Sequence, residues 1–188
     1  MYGACGKRAF DLLFGLLALV LLSPLFLLTA MLIKIYDPGP VIFRQMRIGR
    51  GGDAFAFFKF RSMPVGTGNI PSDRLVAVRI ENVGKFIRRT NIDELPQLFN
   101  ILKGDMSIVG PRPPIPSQTE LIELRKQNGA LKCRPGLTGL AQVKSFDRMT
   151  VKQKAEFDGA YAKNITLFCD IKIILRTFIY LLKPPPVY

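Results

Sequence analysis

Asp93 and Glu94 are neighbours in the stretch RRTNIDELPQLFNILKGDMSIVGPRP, residues 88–113. Arg88 and Arg89 lie just upstream and Arg112 just downstream. The whole chain carries 27 Lys and Arg against 14 Asp and Glu, a formal charge of +13, so an adjacent pair of acids stands out. Charges of both signs at one place are what phosphoryl chemistry requires. Cations hold phosphate oxygens, and carboxylates bind Mg²⁺ or attack phosphorus. Such an attack gives an acyl phosphate, which a second nucleophile opens. Pro96 fixes the backbone direction just after the pair. Arg112 lies between prolines in VGPRPP, and a guanidinium so held grips phosphate bidentately. Lys59 and Arg61 are two apart on a strand pattern, which puts them on one face where they can join the site.

The same residues admit a plainer reading. An Asp before an apolar periodic run is a good N-cap, a Glu in the first turn complements the helix dipole, and Pro is tolerated there. On that reading DELPQ is only a well-made helix start, and Arg112 is a buried structural arginine.

Composition narrows the chemistry. The chain has no histidine, which excludes Ser-His-Asp and Cys-His nucleophile systems and every His-ligated metal site. Carboxylates are then the leading candidates for acid, base or nucleophilic work near neutral pH. Cys5, Cys133 and Cys169 are far apart and odd in number, which argues against a disulfide framework or a zinc site. No Walker loop and no GxGxxG occurs, so phosphate would be held by side-chain cations. The positive charge points to nucleic acid, anionic lipid or phosphorylated substrates without choosing among them.

The elements that must position these residues can be sketched. Residues 12–33 carry no charge, a run long enough to cross a bilayer. Ser23-Pro24 interrupts it, since Pro removes a donor and kinks the helix while the serine hydroxyl bonds a freed carbonyl. Lys7 and Arg8 precede the run, and Lys34, Arg44, Arg47 and Arg50 follow it. Basic flanks on both sides place both ends in the cytoplasm and favour a re-entrant hairpin over a spanning helix. Residues 41–48 and 54–63 read as strands around a hairpin loop at 49–53. Residues 64–74 read as a loop and residues 83–90 as a short basic helix.

From Asp93, Leu95, Leu98, Phe99 and Leu102 follow helical spacing, and Gly104 ends the helix. Residues 109–117 are too proline-rich for a regular element. Residues 118–128 and 150–164 read as helices, with a turn and an extended piece over 134–143 between them. Residues 165–182 form an amphipathic helix suited to the core or to a membrane interface, ended by KPPP. The expected fold class is α+β. A re-entrant helix-break-helix over 1–36 precedes a small mixed helical and strand catalytic domain over 37–188, with interfacial amphipathic helices.

The strings KRAFDLLFGLLALVLLSP, GPVIFRQMRIG, FFKFRSM, IRRTNIDELPQLFNILKGDMSIVGPRP, RPGLTGLAQV and FDGAYAKN, in this order, resemble the monotopic phosphoglycosyl transferases. These bacterial sugar transferases start glycan assembly on polyprenol phosphate. The resemblance covers about residues 6–182, and the length corresponds to the small form, a catalytic core. It implies that Asp93 attacks the sugar-bearing phosphate of a UDP-sugar and releases UMP. Undecaprenyl phosphate would then take the phosphosugar from the aspartyl enzyme. It implies that Glu94 completes the dyad, that Asp93 and Glu94 hold Mg²⁺, and that Lys59, Arg88 and Arg112, with Arg61 beside them, bind phosphate. Ser23 and Pro24 match the break of a re-entrant helix. The implied partners are UDP-sugar, undecaprenyl phosphate and membrane lipids at the cytoplasmic face of a bacterial inner membrane, with no nucleic acid. The sequence departs from the family at 144–148, where Lys144-Ser145-Phe146-Asp147-Arg148 replaces the Asn-Gly-Arg common after AQV. A tryptophan often seen before Asp158 is absent. The sugar or base is expected against this tract, through Gln142, Arg148 and Asp158.

Two competing readings remain at this point. One is a non-enzymatic basic membrane module. The other is the same enzyme acting through a ternary complex without a covalent step.

Overall fold

The computed structural model describes residues 2–64, 82–144 and 149–181. It is a mixed helix and strand fold. Helix α1 (Ala4–Leu21) meets α2 (Ser23–Tyr36) at a bend of 59°. The bend falls where Ser23-Pro24 was expected to break the run. Pro24 occupies the first turn of α2, and the Ser23 hydroxyl donates to the Val20 carbonyl at 2.8 Å. Among the described residues no single helix is long and apolar enough to cross a membrane, though the bent pair has that length and composition together.

Strands β1 (Ile42–Ile48) and β2 (Ala54–Phe60) form the expected antiparallel hairpin. The register sets Phe43 opposite Lys59, Gln45 opposite Phe57 and Arg47 opposite Phe55, so all six share one face. Phe55 and Phe57 on that face pack with Leu98, Ile101 and Met106, and Ala18, Leu19 and Phe26 of the hairpin helices close over them. The N-terminal hairpin is therefore built into the core by one side. Its other side leaves Leu13, Leu17, Leu21, Leu27 and Met31 exposed.

Helix α3 (Asn82–Arg89) leads into a 3-10 turn at Ile92–Glu94, then α4 (Gln97–Lys103). Here the sequence expectation needs correction. The regular helix starts at Gln97, not Asp93, and its N-cap is Pro96 without a side-chain capping bond. Asn91 takes a left-handed conformation (φ 55°), which Asn tolerates better than most residues, and this turns the chain so that Asp93 lies outside the helix. Gly104, at φ 102°, ends α4 as expected.

Strand β3 (Ser107–Val109) pairs in parallel with β4 (Gly136–Thr138). Between them lie the proline-rich loop and α5 (Thr119–Gln127). The extended piece expected within 134–143 is shorter than the reading gave, being β4 alone, because Leu140–Val143 closes into a short helix, α6. Helix α7 (Val151–Lys163) starts on a capping box, with Thr150 and Gln153 bonded reciprocally. Helix α8 (Leu167–Leu181) presents Asp170 and Ile173 inward, and the Thr177 hydroxyl lies 2.6 Å from that of Thr138 on β4. Its outer face leaves Phe168, Leu175, Phe178 and Ile179 exposed. The helix thus packs on the core by one face and leaves the other uncovered. The loop expected at 64–74 and the stop at KPPP lie outside the described residues, apart from Pro64.

Candidate active site

The 3-10 turn delivers Asp93 and Glu94 to the end of the hairpin face that carries Lys59. The Lys59 ammonium lies 2.9 Å from Glu94 Oε1 and 3.4 Å from Asp93 Oδ2. From the opposite side, Arg112 Nη2 donates to Glu94 Oε1 at 2.6 Å, and Arg112 Nη1 lies 3.4 Å from Glu94 Oε2. Lys59, Asp93, Glu94 and Arg112 thus form one cluster, drawn from β2, the 3-10 turn and the proline-rich loop. Arg88 lies in the last turn of α3, and its carbonyl accepts from the Asn91 amide in the turn that presents the acids.

The two carboxyls have opposite electrostatic fates. Asp93 is 7% exposed, and burial pushes its pKa above the ordinary carboxylate value; the Lys59 charge pulls the other way and the Glu94 charge adds to the rise. Burial also opposes ionising Glu94, but Arg112 and Lys59, with their hydrogen bonds, outweigh it and hold Glu94 well below the usual range. One acid is fixed as an anion between two cations. The other is a more basic carboxylate whose Lys59 contact is long, which suits a nucleophile.

A further cation, Arg47, was read from sequence only as a flanking charge. It shares the hairpin face with Lys59. Its guanidinium lies over the Phe57 ring at 5.3 Å, and the Lys59 ammonium lies over the same ring at 5.7 Å. Burial, then the nearby Arg112 charge, lowers the Arg47 pKa to about 10, with Glu94 partly offsetting them. Only the strand register, which pairs residues of β1 with β2, would have placed it here.

The loop that carries Arg112 is held through its carbonyls, as it must be where prolines remove the amide donors. Pro111 O accepts from Gly136 N at 2.9 Å and Pro114 O from Ile48 N at 2.9 Å. Arg112 O accepts from Arg125 Nη1 at 2.8 Å, and Pro113 O from Arg47 Nη1 at 3.1 Å. Beneath the loop the backbones of Gly110 and Gly136 come so close that a Cβ on Gly136 would collide with the Gly110 amide.

Other expectations fall elsewhere. Arg61 does not join Lys59. It follows the end of β2, and its buried guanidinium turns to the Asp37 carbonyl and lies 3.4 Å from the Asp37 carboxylate. The alternation of a strand stops holding once the strand ends. Asp158 does not face a ligand either. It is 1% exposed and accepts from Arg125 Nη2 at 2.6 Å and Nε at 2.8 Å. The Gln142 amide donates to the Leu137 carbonyl at 3.1 Å, within its own turn. Arg148 lies outside the described residues.

The hairpin is fastened beneath this site by acids that the apolar pattern concealed. Asp11, fully buried on α1, accepts from the Ser107 hydroxyl at 2.9 Å and the Ile108 amide at 3.0 Å. Arg8 donates to the last carbonyls of α4, Ile101 at 2.6 Å and Leu102 at 2.9 Å. Asp170 on α8 receives the Lys7 ammonium and the Tyr2 hydroxyl, each at 2.6 Å, and the Tyr161 hydroxyl at 2.8 Å.

The bacterial sugar transferase family model matches residues 2–184. The exopolysaccharide production protein ExoY of Sinorhizobium fredii is 36% identical, over 93% of this chain and 84% of its own length. The UDP-glucose:undecaprenyl-phosphate glucose-1-phosphate transferase of Klebsiella pneumoniae is 39% identical, over 91% of this chain and 39% of its own length. The UDP-N-acetylgalactosamine-undecaprenyl-phosphate N-acetylgalactosaminephosphotransferase of Aeromonas hydrophila is 40% identical, over 91% of this chain and 42% of its own length. The chain thus spans most of one relative and about two-fifths of the other two. With a family match that runs almost from end to end, the chain belongs to the bacterial sugar transferase family.

Proposed function

We propose that the chain transfers a sugar-1-phosphate from a UDP-sugar to undecaprenyl phosphate through a covalent Asp93 intermediate. The observation that carries this reading is the divided dyad: Glu94 pinned as an anion by Lys59 and Arg112, with Asp93 beside it buried and made more basic. An Asp93 oxygen attacks the phosphorus that bears the sugar. The bond from that phosphorus to the bridging oxygen breaks, and UMP leaves with the bond's electron pair. A phosphate oxygen of the acceptor then attacks the same phosphorus. The Asp93 carboxylate is released and the sugar is left on a polyprenol diphosphate. Arg112 and Lys59 hold the donor's phosphate oxygens, and Arg88 and Arg47 add positive potential around them.

Among the described residues no group of three or more potential metal ligands exists, so a protein-only metal cage is not formed. Mg²⁺ commonly binds through one or two carboxylates plus substrate phosphates and waters, and Asp93 with Glu94 fit that demand. Bound there with the donor, it would neutralise charge on the diphosphate and stabilise the leaving UMP.

The reaction joins a water-soluble donor to a lipid acceptor, so the site belongs at an interface. The bent α1–α2 pair and the exposed apolar face of α8 support a monotopic seat at the cytoplasmic face of a bacterial inner membrane. The excess positive charge favours anionic headgroups as well as the phosphorylated substrates. In sealed vesicles, Cys5 near the N-terminus and an introduced E123C on α5 should react with an impermeant thiol reagent from the same side. Reaction from opposite sides would mean that the hairpin spans.

The covalent step is tested by isotope exchange. Labelled UMP should enter UDP-glucose or UDP-N-acetylgalactosamine in the presence of Mg²⁺ and the complete absence of acceptor. Exchange that appears only when undecaprenyl phosphate is added would favour a ternary complex and overturn the two-step route.

A further inference from the structure

We propose that the buried Arg125–Asp158 ion pair positions Arg112 for the donor's phosphates, by holding the Arg112 carbonyl from behind. The inference rests on the reading that Arg112 grips phosphate.

Arg125 is 2% exposed and sits one turn after Leu121 on the inward face of α5. A charged residue at a core position needs its donors taken. Nε and Nη2 both go to Asp158 Oδ2 on α7, at 2.8 and 2.6 Å. Nη1 goes to the Arg112 carbonyl at 2.8 Å. The planar guanidinium therefore ties α7 to the backbone of one particular loop residue. The side chain of that residue is what reaches Glu94 at 2.6 Å. A lysine at 125 could not reproduce this, because one ammonium lacks the fixed fork that addresses two partners at once.

The link has functional meaning because of the loop's composition. With Pro at 111, 113 and 114, the segment has few amide donors of its own, so its register is set by what its carbonyls accept. Three of those bonds keep neighbouring residues in place. The Arg125 bond acts on the Arg112 backbone itself. A phosphate-gripping arginine must be placed to a fraction of an ångström, since a misplacement of about 1 Å can cost about a hundredfold. Asp158, expected from sequence to face the sugar, thus contributes from the opposite side of the loop.

The test uses the full chain in detergent, with UDP plus Mg²⁺ as the calorimetric probe. Breaking the pair singly leaves a buried charge and risks unfolding, so both members are replaced together as Arg125→Met with Asp158→Leu, a swap that buried ion pairs often tolerate. The double variant should keep the wild-type unfolding midpoint and bind UDP about tenfold more weakly. Should it fail to fold, Arg125→Lys takes its place under the same criteria. The deciding measurement repeats the swap in an Arg112→Ala background. There it should change UDP affinity by less than about twofold, because residues that act through one another are not additive. The same loss in both backgrounds would mean that the pair acts elsewhere, and would overturn the proposal. Unchanged UDP affinity in the double variant, with Arg112→Ala weakened, would also overturn it while leaving the phosphate role of Arg112 intact. Unchanged affinity in Arg112→Ala would reject that phosphate role and the inference together.

Discussion

Asp93→Asn should reduce turnover by about four orders of magnitude or more while leaving the protein folded. The size follows from the role: an amide cannot supply the carboxylate oxygen that would form the acyl phosphate, and loss of a nucleophile removes most chemical acceleration. The preserved fold follows from the geometry. Asp and Asn are nearly isosteric, and Lys59 approaches the Asp93 carboxylate only to 3.4 Å. Burial already disfavours the ionised form. Replacing it with a neutral amide removes that penalty along with a long ion pair, so the two effects oppose each other. The unfolding midpoint should stay within a few degrees of wild type, and UMP exchange should vanish with turnover. Turnover within tenfold of wild type would end the covalent assignment. A collapsed midpoint would show that Asp93 supports the fold instead.

Glu94→Gln should fail differently, losing stability as well as activity. Glu94 is the anion between Lys59 and Arg112, both largely buried beside it. Its removal leaves two cations facing each other with a neutral amide between them. Breaking a buried pair costs about 3–5 kcal/mol, and the partial exposure of these side chains places the expected loss toward the lower end. Turnover should fall by about a hundredfold or more, because both phosphate-holding cations lose their common reference point.

The stability loss should depend on pH in a definite direction. The folded pKa of Glu94 is depressed, so its contribution is complete above the unfolded value of about 4.3 and fades as pH falls toward the folded one. Asp93, with its raised pKa, contributes with the opposite sign. The wild-type advantage over Glu94→Gln in thermal midpoint should therefore be full near neutral pH and shrink on acidification below about pH 4. Equal midpoints at neutral pH, or a gap that widens in acid, would contradict the electrostatic account.

Local chemistry made part of this architecture readable. Ser23-Pro24 and Gly104 each act within a few residues, and the break and the helix end fell where those residues stand. The hairpin was readable because its loop and its alternation agree. Asp93, Glu94, Lys59 and Arg112 were named because their types suit one reaction, and the structure gathers them. The errors share a cause. The helix was read as starting at Asp93 because spacing cannot show that Asn91 turns left-handed first. Arg61 was placed beside Lys59 by an alternation that ends with Phe60. Arg47, Arg125 and Asp11 were passed over because their partners lie far away in the chain, at Pro113, Asp158 and Ser107. Arg125 did leave a trace, a charge four residues after Leu121 on what proves to be the buried face.

The way the hairpin is fastened has a consequence for biosynthesis. Lys7 and Tyr2 find their shared acid at Asp170, and Asp11 finds its donors at Ser107 and Ile108. Helix α1 and Tyr2 before it therefore carry polar groups whose counterparts, on β3 and α8, are translated about a hundred residues later or more. Until α8 emerges, the nascent hairpin must keep those groups hydrated. Helix α8 is made after the segment it locks, so a message cut short before Asp170 yields a helical hairpin that never acquires its lock.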